Sequence, residues 1–151
     1  MIKKPLAVVI LAAGKGTRMN SKLPKVLHEI NGKPMIEVVI NTSQKLNPEK
    51  IIAIIGYKKE LVENALRSYE INFAVQLEQK GTAHAVQQCD KELINFSGNV
   101  LILSGDVPGI SLDTLNSLIN LHVSKNSKAS LISTNFDNPF GYGRIIRNTD
   151  N

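Results

Sequence analysis

Short apolar runs alternate along this chain with stretches in which apolar residues return every three or four positions. The runs at 6–11, 51–55, 73–76, 100–103 and 129–134 read as strands, and the first and fourth are so nearly all apolar that they predict strands covered on both faces. Helical spacings lie between them. The stretch 34–45 opens on Pro34 and places Ile36, Val39 and Ile40 on one stripe, and 58–68 does the same with Leu61, Val62, Ala65 and Leu66. Two more helices are expected over 81–93 and 111–125, the second capped by Ser111 and carrying Leu115, Leu118, Ile119 and His122 at spacings of three and four. Strand and helix in alternation specify an α/β fold, a mainly parallel sheet with helices on both faces. Ligands of such sheets bind beyond the carboxyl ends of the strands. Segments 12–25, 76–84 and 104–108 each follow a predicted strand, so they are expected to converge.

With 151 residues, 42% hydrophobic and 21% charged, the chain has the makeup of one globular domain, without internal repeat, low-complexity tract or linker. The longest apolar run, Leu6 to Ala13, is eight residues. That is far short of the roughly 20 needed to cross a bilayer. Lys3 and Lys4 ahead of it mimic a short secretory signal, but cleavage near Ala13 would destroy the most informative motif in the chain. A single cysteine, Cys89, excludes an internal disulfide. The three histidines, His28, His84 and His122, are too scattered for a zinc signature, and both features suit the cytoplasm. The net charge of +5 is unevenly placed: Lys3, Lys4, Lys15, Arg18, Lys22, Lys25 and Lys33 face only Glu29 within the first 33 residues. Tryptophan is absent and 5% of residues are aromatic, so this concentration of charge points to a small polyanion rather than to nucleic acid or a membrane.

Four motifs carry candidate chemistry. The first is Leu11-Ala12-Ala13-Gly14-Lys15-Gly16-Thr17-Arg18, continuing to Leu23-Pro24-Lys25. Glycines directly after a buried strand permit close backbone approach, exposed N–H groups there can cradle phosphate oxygens, and Lys15, Arg18 and Lys25 add cations. A dinucleotide fingerprint would need glycine at Met19 and an acid where Gly56 and Tyr57 stand, and a Walker loop starting at Gly14 would need Gly-Lys at Met19 and Asn20, so both fail. The second is Gln76 followed by Gly81-Thr82-Ala83-His84-Ala85, a glutamine at a strand end and a Gly-Thr pair opening a helix, which offer donors and acceptors to a base edge. The third, Ser104-Gly105-Asp106, puts a carboxylate at the end of an apolar strand, where it suits Mg²⁺ together with phosphates and water. The fourth is Asn138-Pro139-Phe140-Gly141-Tyr142-Gly143-Arg144, which from spacing alone is a turn.

The first motif resembles the signature of sugar-1-phosphate nucleotidylyltransferases, and by itself leaves cytidylyl, uridylyl and guanylyl transfer open. The second resembles the uracil-binding segment of bacterial UDP-N-acetylglucosamine pyrophosphorylases, and the fourth their acetylamino-sugar segment. The resemblance runs from about Leu6 to Arg147 with the four motifs in order. It implies a Rossmann-like nucleotidyltransferase sheet, with residues 1–151 as the N-terminal part of the pyrophosphorylase domain and no β-helix acetyltransferase half. The implied reaction is Mg²⁺-dependent uridylyl transfer from UTP to N-acetylglucosamine-1-phosphate, a step of cell-wall precursor synthesis in the cytoplasm. The implied roles are Arg18 and Lys25 in catalysis and Asp106 on the metal. The nucleotide would fall to Leu11, Ala12, Ala13, Gly14, Lys15, Gly16, Thr17, Gln76, Gly81, Thr82, Ser104 and Gly105, and the sugar to Gly143. His84 is expected to pack or orient rather than to act as acid or base. A non-catalytic uridine-nucleotide-binding module, or a transferase for another base or sugar, are the alternatives, and the oligomeric state is left open.

Overall fold

The computed structural model describes residues 4–16 and 19–147. In chain order these form β1 (Leu6–Leu11), a 3-10 turn (Lys25–Leu27), the two-residue strands β2 (Glu29–Ile30) and β3 (Lys33–Pro34), α1 (Met35–Gln44) and β4 (Lys50–Ile55). There follow α2 (Lys59–Ala65), β5 (Asn72–Val75), α3 (Thr82–Gln87), α4 (Asp90–Leu93), β6 (Asn99–Ser104) and α5 (Leu112–Ser124). The main sheet has the order β5-β4-β1-β6 with every pair parallel. The chain steps outward from β1 through β4 to β5, then returns to the other side of β1 as β6. A topological switch point therefore lies between β1 and β6, where the loops beyond the strand ends separate and leave a crevice.

The central strands behave as their sequences require. Ala7–Ile10 in β1 and Ile52–Ile55 in β4 are fully shut off from water. Side chains alternate between faces along a strand, so both faces of β1 and β4 are covered. On one face Val9, Ala13, Ile52 and Ile54 form a cluster with Ala74, Ala85 and Cys89, which brings α3 and its exit onto the sheet. On α1 the expected stripe of Ile36, Val39 and Ile40 is buried, joined by Met35 and Ser43, whose hydroxyl donates back to the Val39 carbonyl at 2.7 Å.

Several expectations need correction. The fourth predicted strand, β6, is an edge strand and is covered on one face only: Leu101 and Leu103 are buried while Val100 and Ile102, which point to the other face, are exposed. Pro34 does not begin α1. It pairs with Glu29 across a small hairpin at φ −50°, ψ 137°, and the helix starts one residue later. That hairpin turns on Asn31 and Gly32, both at positive φ, which is the signal an Asn-Gly pair gives for a two-residue turn. The predicted 81–93 helix is broken into α3 and α4 at Gln88–Cys89, and Leu61 of the second predicted helix is exposed.

The chain divides into two compact units, 1–112 and 113–151. In the second, α5 buries Leu115, and His122 Nδ1 lies 3.0 Å from the Ser130 hydroxyl. The strand expected at 129–134 is not formed, and Leu131 and Ile132 are exposed. An apolar run becomes a strand only where a neighbour takes up its N–H and C=O groups, and none pairs with this one among the described residues. No described helix is long and apolar enough to cross a membrane.

Cys89 sits at the centre of the buried cluster, and burial, reinforced by the nearby charges of Glu92 and Asp90, pushes its thiol up to about 11. Thiolate is the reactive form, and the shift from 9.0 to about 11 lowers its fraction about 100-fold. Alkylation of the folded chain at pH 8 is therefore expected to be at least that much slower than in denaturant. Equal rates in the two states would contradict this packing.

Candidate active site

The residues beyond the strand ends enclose a cavity of about 300 Å³ lying wholly within the first unit. Its floor is the exit of β1. Ala12 N–H donates to Ile54 O at 2.8 Å, and Gly105 N–H donates to Leu11 O at 2.9 Å, so the loop is held to β4 on one side and β6 on the other. Gly16 then turns the chain at φ +63°, a conformation that favours glycine. A Cβ there would come within 2.7 Å of Lys25 Cβ. This close approach lets the loop lie directly against the 3-10 turn, which Val26 and Leu27 anchor by burial.

Anchored in that way, Lys25 reaches across to the end of β6, where its Nζ pairs with Asp106 Oδ2 at 2.6 Å. Both side chains remain partly open to solvent, Lys25 at 41% and Asp106 at 29%. The third wall comes from the end of β5 and the start of α3. Gln76 is 3% exposed, and its side-chain Nε2 donates to the Gly81 carbonyl at 3.2 Å. Gly81 stands at φ +100°, just before Thr82 opens α3.

Of the predicted site residues, Leu11, Ala12, Ala13, Gly14, Gly16, Lys25, Gln76, Gly81, Thr82, Ser104 and Asp106 all line this cavity. Lys15 and Gly105 do not. The Lys15 ammonium lies 6.0 Å from the centroid of the Tyr57 ring, and Gly105 contributes through its backbone bond to Leu11. Thr17 and Arg18 fall outside the described residues. Gly143 belongs to the second unit, in a tight turn in which Tyr142 N–H donates to Pro139 O at 3.1 Å, Arg144 donates to the same carbonyl at 2.8 Å and Phe136 stacks on Tyr142. Sequence reasoning missed Val26, Gln79 and Ala85 as lining residues. All three lie beside or within the motifs, but lining depends on side-chain direction, which spacing alone does not give.

The donor set limits what cation the cavity could hold. No group of three or more His, Cys, Asp or Glu side chains converges among the described residues. Asp106 offers one carboxylate beside the loop that follows β1. That set fits a hard cation completed by phosphate oxygens and water, and does not fit an all-protein cage.

A parallel sheet of this order, with its loops gathered round one cleft, is the fold of the nucleotidyltransferases. A nucleotidyl transferase from Methanothermobacter thermautotrophicus superposes with a TM-score of 0.62 at 20% identity, over 77% of this chain and 57% of its own. Rv0371c from Mycobacterium tuberculosis, solved with manganese, does so with a TM-score of 0.67 at 17% identity, over 81% and 61%. The chain belongs to the MobA-like NTP transferase domain family, which it matches over residues 8–147. In sequence it is 46% identical over 142 residues to the bifunctional protein GlmU of Streptococcus agalactiae, a match covering 94% of this chain and 31% of that protein. The chain thus spans about a third of the length of the curated relatives it matches.

Proposed function

We propose that this chain is the N-terminal part of a nucleotide-sugar pyrophosphorylase domain and carries the site for transfer of uridylyl from UTP to N-acetylglucosamine-1-phosphate, giving UDP-N-acetylglucosamine and pyrophosphate in the cytoplasm. The observation that carries the reading is the meeting, in one cleft, of the 12–16 loop, the Lys25–Asp106 pair and the buried Gln76 carboxamide. The choice of base and sugar is supported by the resemblance of the Gln76 to Ala85 and Asn138 to Arg144 segments to the uracil-binding and acetylamino-sugar segments of UDP-N-acetylglucosamine pyrophosphorylases.

In this reading the backbone of 14–17 and Arg18 take the triphosphate, and Gln76, Gly81 and Thr82 take the uracil. Ser104 and Gly105 border the nucleotide at the end of β6. A sugar-phosphate oxygen attacks the α-phosphorus in line, forming one P–O bond as the bond to the β-phosphate breaks and pyrophosphate leaves with its electron pair. The nucleophile is already anionic near neutrality, so no general base is needed, and catalysis consists of positioning and charge neutralisation. Lys25 would take the sugar phosphate and the α-phosphate, which share charge as the bond forms. Asp106 would hold Mg²⁺, which supplies further neutralisation of the phosphates when bound. The ion pair between these two side chains is then a resting arrangement: the ammonium turns to phosphate oxygens and frees the carboxylate.

Pyrophosphate release measured with N-acetylglucosamine-1-phosphate and UTP, CTP or GTP in turn tests the reading. UTP is expected to be the preferred donor, with Mg²⁺ required. Release at equal rates from CTP or GTP would point to another member of the class, and UTP binding without turnover to a non-catalytic module.

A further inference from the structure

The Gln76 carboxamide is held by more than one partner. Its Nε2 donates to the Gly81 carbonyl at 3.2 Å and lies 3.0 Å from Nδ1 of His84. A carbonyl can only accept, so the Gly81 contact fixes which end of the amide is nitrogen. The second amide hydrogen then points at His84 Nδ1, and the ring that accepts it carries its own proton on Nε2. The far edge of the ring is flanked by Gln88, whose Nε2 lies 3.0 Å from the His84 backbone carbonyl and 3.3 Å from His84 Nε2. That carbonyl fixes the Gln88 nitrogen on its side by the same rule, so only one of the two amides can donate to the neutral ring, and the shorter contact, from Gln76, is the one assigned to it. With both hydrogens of the Gln76 amide engaged, Oε1 is the one polar atom it has left to offer a ligand in the cavity.

We infer that His84 is a positioning residue for base selection: it touches no substrate but fixes the Gln76 amide so that the cavity presents an acceptor and not a donor. This rests on the reading of the cleft as a uridine-nucleotide site. Uracil carries a donor at N3, which Oε1 satisfies, whereas cytosine carries a lone pair there, which Oε1 opposes. An amide free to turn over could serve either base. A buried acceptor that cannot turn discriminates, because the wrong base leaves it unpaired.

Calorimetric affinities of the chain for UTP and CTP in Mg²⁺, taken as a ratio, test the idea. His84→Leu keeps bulk but removes the acceptor, and is expected to reduce the UTP:CTP ratio about tenfold, the size of one net hydrogen bond. His84→Asn, whose oxygen can stand near Nδ1, should retain most of the ratio. In a Gln76→Met background His84→Leu should leave the ratio unchanged, because the histidine acts only through that amide. A ratio that stays constant in His84→Leu, or that falls as much in the Gln76→Met background, overturns the proposal and reduces His84 to packing. Independently of any variant, long-range ¹H–¹⁵N spectra of the wild-type chain should show His84 protonated on Nε2, and an Nδ1–H ring overturns it as well. A wild-type chain with no preference for UTP is a different result: it removes the uridine reading, and the inference with it.

Discussion

Asp106→Asn is expected to lower Mg²⁺-dependent pyrophosphate release by about 100- to 1,000-fold while the chain stays folded, on the scale of losing one preorganised electrostatic group. The substitution keeps the shape of the side chain and removes its charge, so a cation held in the proposed way would lose the one carboxylate that lines this cleft among the described residues. Stability should hardly change. The Lys25–Asp106 pair is partly solvated on both sides, and pairs of that kind contribute only about 0–1 kcal/mol. Thermal melting alongside a Mg²⁺ titration of turnover separates the two effects. Turnover that keeps its wild-type Mg²⁺ dependence in the variant would remove Asp106 from the metal.

Lys25→Ala should produce a loss of similar size in kcat with a much smaller change in UTP affinity. The reason lies in where the ammonium stands. It is anchored by the buried Val26 and Leu27 and faces the end of β6, and in the proposed reading it serves charge that develops between the two reacting phosphates rather than the ground-state triphosphate. An interaction stronger in the transition state than in the ground state appears in kcat. Calorimetric UTP binding and steady-state turnover on the same preparation decide the matter. If both fell equally, Lys25 would be an ordinary phosphate anchor.

The two variants also report on each other. Each leaves the other's charge without its resting partner, and because both are partly open to water that orphaned charge remains solvated and folding is spared. Their effects on turnover should not add, since in the proposed reading the two groups act on the same reacting phosphates.

Much of this was legible in the sequence because it is local. A six-residue run such as Leu6–Leu11 can be buried on both sides only as an inner strand, and β1 and β4 appear as such. The glycines and polar residues of the loops declared themselves by following those strands, and most of the predicted nucleotide residues do line one cleft. The Asn31-Gly32 turn was equally local and went unread, although an Asn-Gly pair is a strong turn signal.

What the tertiary structure alone decided involves residues far apart in the chain or a balance among neighbours. No spacing rule joins Lys25 to Asp106. They meet because β6 returns to lie beside β1, so the turn behind β1 and the end of β6 share one rim. The predicted 81–93 helix breaks at Gln88–Cys89, where i→i+3 bonds from Gln88 N–H to Ala85 O and from Cys89 N–H to Val86 O replace the α-helical ladder. The run at 129–134 has the composition of a strand and is not one, since strand propensity is realised only against a partner ladder. The direction of the Gln76 amide, on which base choice is inferred to rest, follows from a carbonyl five residues on and an imidazole eight residues on. Sequence determines which groups are available. Their orientation is a property of the packed state, because a single amide reads as donor or acceptor according to what its neighbours leave free.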